Sequence, residues 1–178
     1  SRQCDQFMYN HPDMLLVFSA GNSGTDADSD GVVDPDSIGS PGTAKNVLTV
    51  GAAENYRPDQ SSTYGNSWPA DFPVAPIKSD SMANPAVGSR QGMAAFSSRG
   101  PCDDQRVKPD VVAPGTWVIS CRSHAKNNTG WGLAGNSNYV YMGGTSMSCP
   151  LTAGAAALVR QYYAERRGWP NPSAALVK

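Results

Sequence analysis

Residues 145–167 constrain this chain more than any other segment. Ala153, Ala155, Ala156, Ala157, Leu158 and Val159 lie so close together that, wound on a helix, they cover nearly every side. A helix that is apolar all round has to be enclosed by other elements, so the sequence predicts one long buried helix starting at Thr145. Two glycines, Gly143-Gly144, precede it. Pro150 lacks the N–H that would bond the Ser146 carbonyl, so the first turn is perturbed. A chain of 178 residues is long enough to build one core around such an element.

The partners for that helix are short strands. Met14-Leu15-Leu16-Val17-Phe18 is a continuous apolar run stopped by Ser19-Ala20-Gly21-Asn22, which reads as a buried parallel strand delivering a loop at its C-terminal end. Asn46 to Ala52 reads as a second buried strand, Asp110 to Ala113 is strand-like, and Trp117 to Ser120 reads as another strand. Cys4 to Asn10 finishes a helix that His11-Pro12-Asp13 terminates. Strands alternating with helices, with the polar motifs in loops, predict an α/β fold with a parallel sheet. Residues 54–92 are rich in Pro, Ser, Asn and Asp and show little periodicity, so they are expected to form a surface insertion within a single domain spanning 1–178. Residues 127–138 read as another loop.

Charge narrows the function. Only 16% of residues are charged, the net charge is −1, and Lys and Arg are scattered. A nucleic-acid surface is not expected, and Arg166-Arg167 reads as a solvated helix end. No apolar stretch reaches membrane-spanning length. Ser1-Arg2-Gln3-Cys4 is no signal peptide, and Asn171 to Leu176 reads as a helix just beginning, so the chain is expected to be a piece of something larger. Cys4, Cys102, Cys121 and Cys149 have no zinc-type spacing. They are read as free thiols or as up to two disulfides, with Cys102–Cys121 the first pairing to test.

Gly143-Gly144-Thr145-Ser146-Met147 puts a hydroxyl at the first turn of the long helix. Unpaired backbone N–H groups and the positive end of the dipole there stabilise developing negative charge. Ser146 is therefore a candidate nucleophile, and an ordinary helix cap is the competing reading. Asn22, in a Gly-Asn-Ser-Gly loop, offers a side-chain amide, or merely a left-handed turn residue.

A second constellation is acidic. Asp26, Asp28 and Asp30 occupy positions 1, 3 and 5 of a calcium-loop pattern, Gly31 makes the turn, and the Val32 carbonyl falls at position 7. Asp34 fits position 9, whereas position 12 is Ser37 rather than a bidentate Glu. Carboxylates packed this closely repel one another without a cation. Structural Ca2+ is the expected cofactor, and a solvated acidic turn is the competing reading.

Four blocks in order resemble the subtilase family of serine proteases. Gly144-Thr145-Ser146-Met147-Ser148-Cys149-Pro150, followed by Ala153-Gly154-Ala155-Ala156-Ala157-Leu158, is similar to the family's serine motif. Ser19-Ala20-Gly21-Asn22 resembles its oxyanion-hole segment, and residues 40–52 resemble the strand that follows. Phe96-Ser97-Ser98-Arg99-Gly100-Pro101, with Lys108-Pro109-Asp110-Val111 and Ala113-Pro114-Gly115, is similar to the block before the serine. The resemblance implies a three-layer subtilisin-like fold present only as its C-terminal portion. It implies Ser146 as nucleophile, Asn22 and the Ser146 N–H as oxyanion donors, and Ser19, Ala20, Gly21 and Gly144 as substrate-binding positions, the first three on one wall of the pocket for the residue that donates the acyl group. Peptide or protein is the implied substrate, and a secreted or extracytoplasmic location goes with it. Three positions depart from the family's common residues: Gly143 stands for Asn, Ser148 for another small residue, and Leu151 for His.

A serine nucleophile needs a histidine base and a carboxylate, and in subtilisin the chain order is Asp, His, Ser. Only His11 and His124 are present, and neither lies in a matching context. The base and carboxylate are expected from a missing N-terminal part of the catalytic domain, and residues 1–178 alone are expected to be inactive. The alternative is a non-catalytic, calcium-stabilised binding module of the same fold.

Overall fold

The structure, a computed structural model, describes residues 1–84 and 92–178. In chain order its elements are α1 (Arg2–Asn10), β1 (Val17–Ser19), β2 (Leu48–Ala53), β3 (Asn55–Tyr56), α2 (Tyr64–Ser67), a 3-10 turn (Ile77–Ser79), β4 (Ala83–Asn84), β5 (Val111–Pro114), β6 (Val118–Cys121), β7 (Gly132–Leu133), β8 (Tyr139–Met142), α3 (Thr145–Arg166) and α4 (Ala174–Val177). The sheet that organises them is parallel, in the order β1-β2-β5. Val17 stands opposite Leu48, and Val50 opposite Val111. β2 is the central strand and is buried along its length down to Ala52, as its unbroken apolar pattern requires. The α/β architecture with a parallel sheet is the one read from the sequence.

The α3 helix packs across all three strands, yet it is not enclosed. Cys149, Thr152, Ala156, Arg160 and Tyr163 form a half-buried stripe at helical spacing, and beyond Ser148 no residue of α3 is fully buried. Leu158 is 68% exposed, and Leu151, Val159 and Tyr162 are exposed as well. The sequence reading of a helix covered on every side is corrected here. Among the described residues, the sheet covers one stripe of the helix, α4 touches it, and much of the rest is left exposed.

A buried ionic clamp joins the ends of β2 and β5. The Lys108 ammonium donates to the Val47 carbonyl at 3.0 Å, to Thr49 Oγ1 at 3.0 Å and to Asp110 Oδ2 at 2.6 Å. The same carboxylate accepts the Thr49 N–H at 2.7 Å, and Lys178 reaches its other oxygen at 3.1 Å. Burial pushes the Lys108 ammonium below its usual range. Burial also works against ionised Asp110, but its hydrogen bonds to Lys108, Thr49 and Lys178 prevail and hold its carboxyl below the usual value. Near this clamp, Met8 of α1 and Ala174 of α4 close a small core around Val47.

The larger core departs from expectation in one respect. Residues 54–92 were expected to run over the surface, but Tyr64, Phe72, Met82 and Ala83 are buried, where they join Ala52, Phe96 and Trp117. Residues 85–91 of that segment lie outside the described residues. The polar composition misleads because a few large side chains, too irregularly spaced to show a period, do the burying. A second, antiparallel sheet, in the order β6-β8-β7, forms within and beyond the expected 127–138 loop. All four cysteines are free thiols, so the Cys102–Cys121 pairing is absent: Cys102 is buried and Cys121 exposed.

Candidate active site

The loop after β1 and the start of α3 meet through Asn22 and Thr145, which lie 123 positions apart. Asn22 Oδ1 accepts the Thr145 backbone N–H at 2.9 Å and the Thr145 hydroxyl at 3.0 Å. Thr145 Oγ1 in turn accepts the Gly21 N–H at 3.2 Å. With its oxygen committed twice, the Asn22 carboxamide is fixed, and neither of these hydrogen bonds uses its Nδ2 donors. Ser146, the next residue, is exposed. Its N–H belongs to the first helical turn, where amides have no intrahelical acceptor.

Neighbouring loops hold this junction. Ser98 donates its N–H to the Gly21 carbonyl at 2.9 Å and accepts the Ser23 N–H on its hydroxyl at 3.0 Å. Ser97 accepts the Ala52 N–H at 3.0 Å. The Arg99 guanidinium is bound by the carbonyls of Ala94, Ala95 and Ser97, which braces the same loop. Gly144 adopts φ +134°, a conformation that favours glycine, and donates its N–H to the Gly115 carbonyl at 2.7 Å.

A cavity of about 250 Å³ opens against this junction. Asn22 and Gly143-Gly144 form one side, and the rings of Trp68, Phe96 and Trp131 form another. Of the four expected substrate-binding residues, Gly144 borders this cavity, whereas Ser19, Ala20 and Gly21 do not. Trp68, Phe72 and Trp131 escaped sequence reasoning; they sit in segments read as loops, and no short motif marks them.

The structure brings the Asp26, Asp28 and Asp30 carboxylates together, with one oxygen of each within 4.8 Å of the others. Asp26 is 1% exposed and accepts the N–H groups of Asp30 and Gly31 on its two oxygens. Asp34 stands apart from this cluster and accepts the Ala27 N–H at 2.7 Å. The two histidines are not brought to Ser146. His11 caps α1 with its ring 4.4 Å from that of Phe7, and His124 is exposed in the turn after β6.

The sequence signature of the subtilase family, Peptidase_S8, matches residues 1–178. This chain belongs to the subtilase family. It is 32% identical to the serine protease/ABC transporter B family protein tagB of Dictyostelium discoideum, over 89% of this chain and 10% of that protein. It is also 32% identical to serine protease AprX of Bacillus subtilis (strain 168), over 83% of this chain and 26% of that one. The subtilase chain thus spans between a tenth and about a quarter of the length of these two relatives. Among solved structures, the S41 psychrophilic protease is similar at a TM-score of 0.53 and 27% identity, over 98% of this subtilase and 40% of that chain. The prenylagaramide maturation protease PagA shares the fold at a TM-score of 0.52 and 19% identity, over 96% and 40%.

One departure from the common subtilase pattern has a structural counterpart. At Gly143, where many members carry Asn, an added Cβ would run into the six-membered ring of Trp131. The indole occupies the space that a side chain there would fill.

Proposed function

We propose that this chain is the nucleophile-bearing portion of a serine endopeptidase. Ser146 Oγ attacks the scissile carbonyl carbon and forms the C–O bond while a base takes its proton. The oxyanion accepts hydrogen bonds from Asn22 Nδ2 and the Ser146 N–H. Collapse breaks the C–N bond, the amine leaves with the proton, and water then releases the acyl group by the same path in reverse. The observation that carries this reading is the double anchoring of Asn22 Oδ1 on Thr145, beside an exposed Ser146.

The base and its carboxylate come from outside these 178 residues, in the remainder of the catalytic unit. The uncovered side of α3 supports this, because Leu151, Leu158 and Val159 present an apolar face that a larger domain would bury. The greater length of the relatives agrees with it. In the full-length protein, a fluorophosphonate should label Ser146, and Ser146→Ala should abolish the labelling. The isolated chain should show no burst from an activated ester. No labelling of the full-length protein would favour a non-catalytic module, and a burst from residues 1–178 alone would overturn the shared site.

Calcium belongs to the same proposal. The clustered Asp26, Asp28 and Asp30 oxygens are the hard donors that Ca2+ prefers; by the loop pattern the Val32 carbonyl would add to them, whereas Asp34, bonded to the Ala27 N–H, would have to turn toward the cluster to join. Bound there, the ion would neutralise the loop and order it. Calorimetry on the protein should give calcium heat that Asp28→Asn with Asp30→Asn removes; absence of heat in the wild type would refute the site. A secreted or extracytoplasmic location is part of this proposal and rests on the family. The free cysteines lend it nothing. Among the described residues, no helix is long and apolar enough to cross a membrane.

A further inference from the structure

We infer that the cavity beside Gly143 is a specificity pocket for an aromatic substrate side chain on the leaving-group side of the cleaved bond. This rests on the protease reading above, and it adds a substrate class to that site.

The position follows from what borders the cavity. Asn22 divides the site. Ser19 to Gly21, expected to line the pocket of the residue that donates the acyl group, do not touch the cavity, whereas Gly24 and Thr25 beyond Asn22 do. Gly143-Gly144, immediately before the nucleophile, line it as well. A side chain seated there belongs to the residue whose amine departs.

The size suits one side chain. At about 250 Å³ the cavity lies below the roughly 300–1,000 Å³ of pockets that hold whole small molecules.

The chemistry follows from ring geometry. Trp68, Phe96 and Trp131 lie pairwise 5.7 to 6.3 Å apart, with planes at 62°, 69° and 83° to one another, so three steeply inclined rings make a corner. Such a corner offers a face and two edges to a flat guest, the arrangements aromatic pairs prefer. Phe72, buried and edge-on to Trp68, backs it. Trp131 is held against the nucleophile loop because Gly143 leaves room for its ring, which places one aromatic wall two residues from Thr145 and three from Ser146. Asp71 at the border favours a cation instead, but it is exposed, and a solvated carboxylate contributes little beside the three rings.

The test profiles cleavage of a peptide library by the full-length protein, with fluorophosphonate labelling of Ser146 run in parallel. Phe, Tyr or Trp should exceed Ala about tenfold or more at one position after the cleaved bond. Trp131→Ala and Trp68→Ala should each cut that ratio several-fold. The ratio is taken within each variant, so a loss of total activity does not mask it. Labelling without an aromatic preference, or with a preference for Lys or Arg, would overturn the pocket alone. Unchanged ratios in both variants would do the same. No labelling would overturn the protease reading and the pocket with it.

Discussion

The indole of Trp131 lies where the side chain of residue 143 would be, so Gly143 and Trp131 are one structural choice made at two positions. A Cβ at 143 has no free space, and relief requires that the indole move. Gly143→Ala should therefore destabilise the protein by about 1–3 kcal/mol, the usual cost of overpacking. Adding Trp131→Ala should return part of it, with a coupling of about 1 kcal/mol or more in a double-mutant cycle read by chemical denaturation. Strictly additive losses would show that the two residues do not compete for space.

Asn22→Ala in the full-length protein should lower kcat by about 10²–10³ with KM nearly unchanged, as expected for a donor used mainly in the transition state. Thr145→Val removes one of the two hydrogen bonds that hold the carboxamide and should cost less, about tenfold. Equal losses in kcat and in substrate affinity would argue that Asn22 shapes the loop instead.

Lys108→Met leaves Asp110 with Lys178 and the Thr49 N–H. The cost should be about 1–3 kcal/mol, less than for a fully buried pair losing one member. The Asp110 carboxyl is held below its usual value. Its stabilisation is therefore complete above the unfolded carboxyl value of about 3.9, and it is lost as pH falls through the lower folded one. Melting curves from pH 5 down to pH 2 should fall less steeply for Lys108→Met than for the wild type.

Glu54 titrates in the opposite sense. It is buried and accepts the Tyr64 hydroxyl at 2.9 Å; burial, partly offset by that bond and reinforced by Asp80, raises its carboxyl from 4.5 to about 7. The folded state holds the proton more tightly than the unfolded one, so stability declines as pH rises from 4.5 through about 7. Glu54→Gln keeps an acceptor for Tyr64 and removes the charge. Its melting temperature should gain on that of the wild type across this window, by the equivalent of up to ~3 kcal/mol. Parallel curves from pH 5 to pH 8 would show that Glu54 is not the group responsible.

Leu158 tests the uncovered helix face. Leu158→Asp should change the stability of residues 1–178 by about 0.5 kcal/mol or less, since the position is already exposed. In the full-length protein the same change should cost several times as much, because a charge would then be buried. An equally mild effect in both would mean that α3 faces solvent in the complete molecule.

What the sequence made legible was local. The parallel strands were readable from Val17, Leu48 and Val50 because continuous apolar runs suit a buried sheet, and Gly144 before Thr145-Ser146 marked a helix start by itself. The meeting of Asn22 with Thr145 spans most of the chain, and only the order of motifs pointed to it. Burial by Tyr64 and Phe72 was hidden, because two rings among polar residues carry no periodicity. β8 was missed because Tyr139 to Met142 pairs antiparallel with β6 and with the two residues of β7, which leave no pattern. The α3 helix misled for a different reason: alanine on every side says that a helix tolerates burial all round, and says nothing about how much of the cover lies in the same chain.

Trp68, Phe72 and Trp131 reach the cavity from other elements than the groups around the nucleophile. Trp68 and Phe72 come from the segment after β3, and Trp131 from the antiparallel arm, while Asn22, Thr145 and Ser146 are tied to the parallel sheet. Substitutions at the rings need not disturb the hydrogen bonds between Asn22 and Thr145. On the proposed pocket, the taste of the enzyme would change with two half-buried tryptophans while the cutting edge stays as it is.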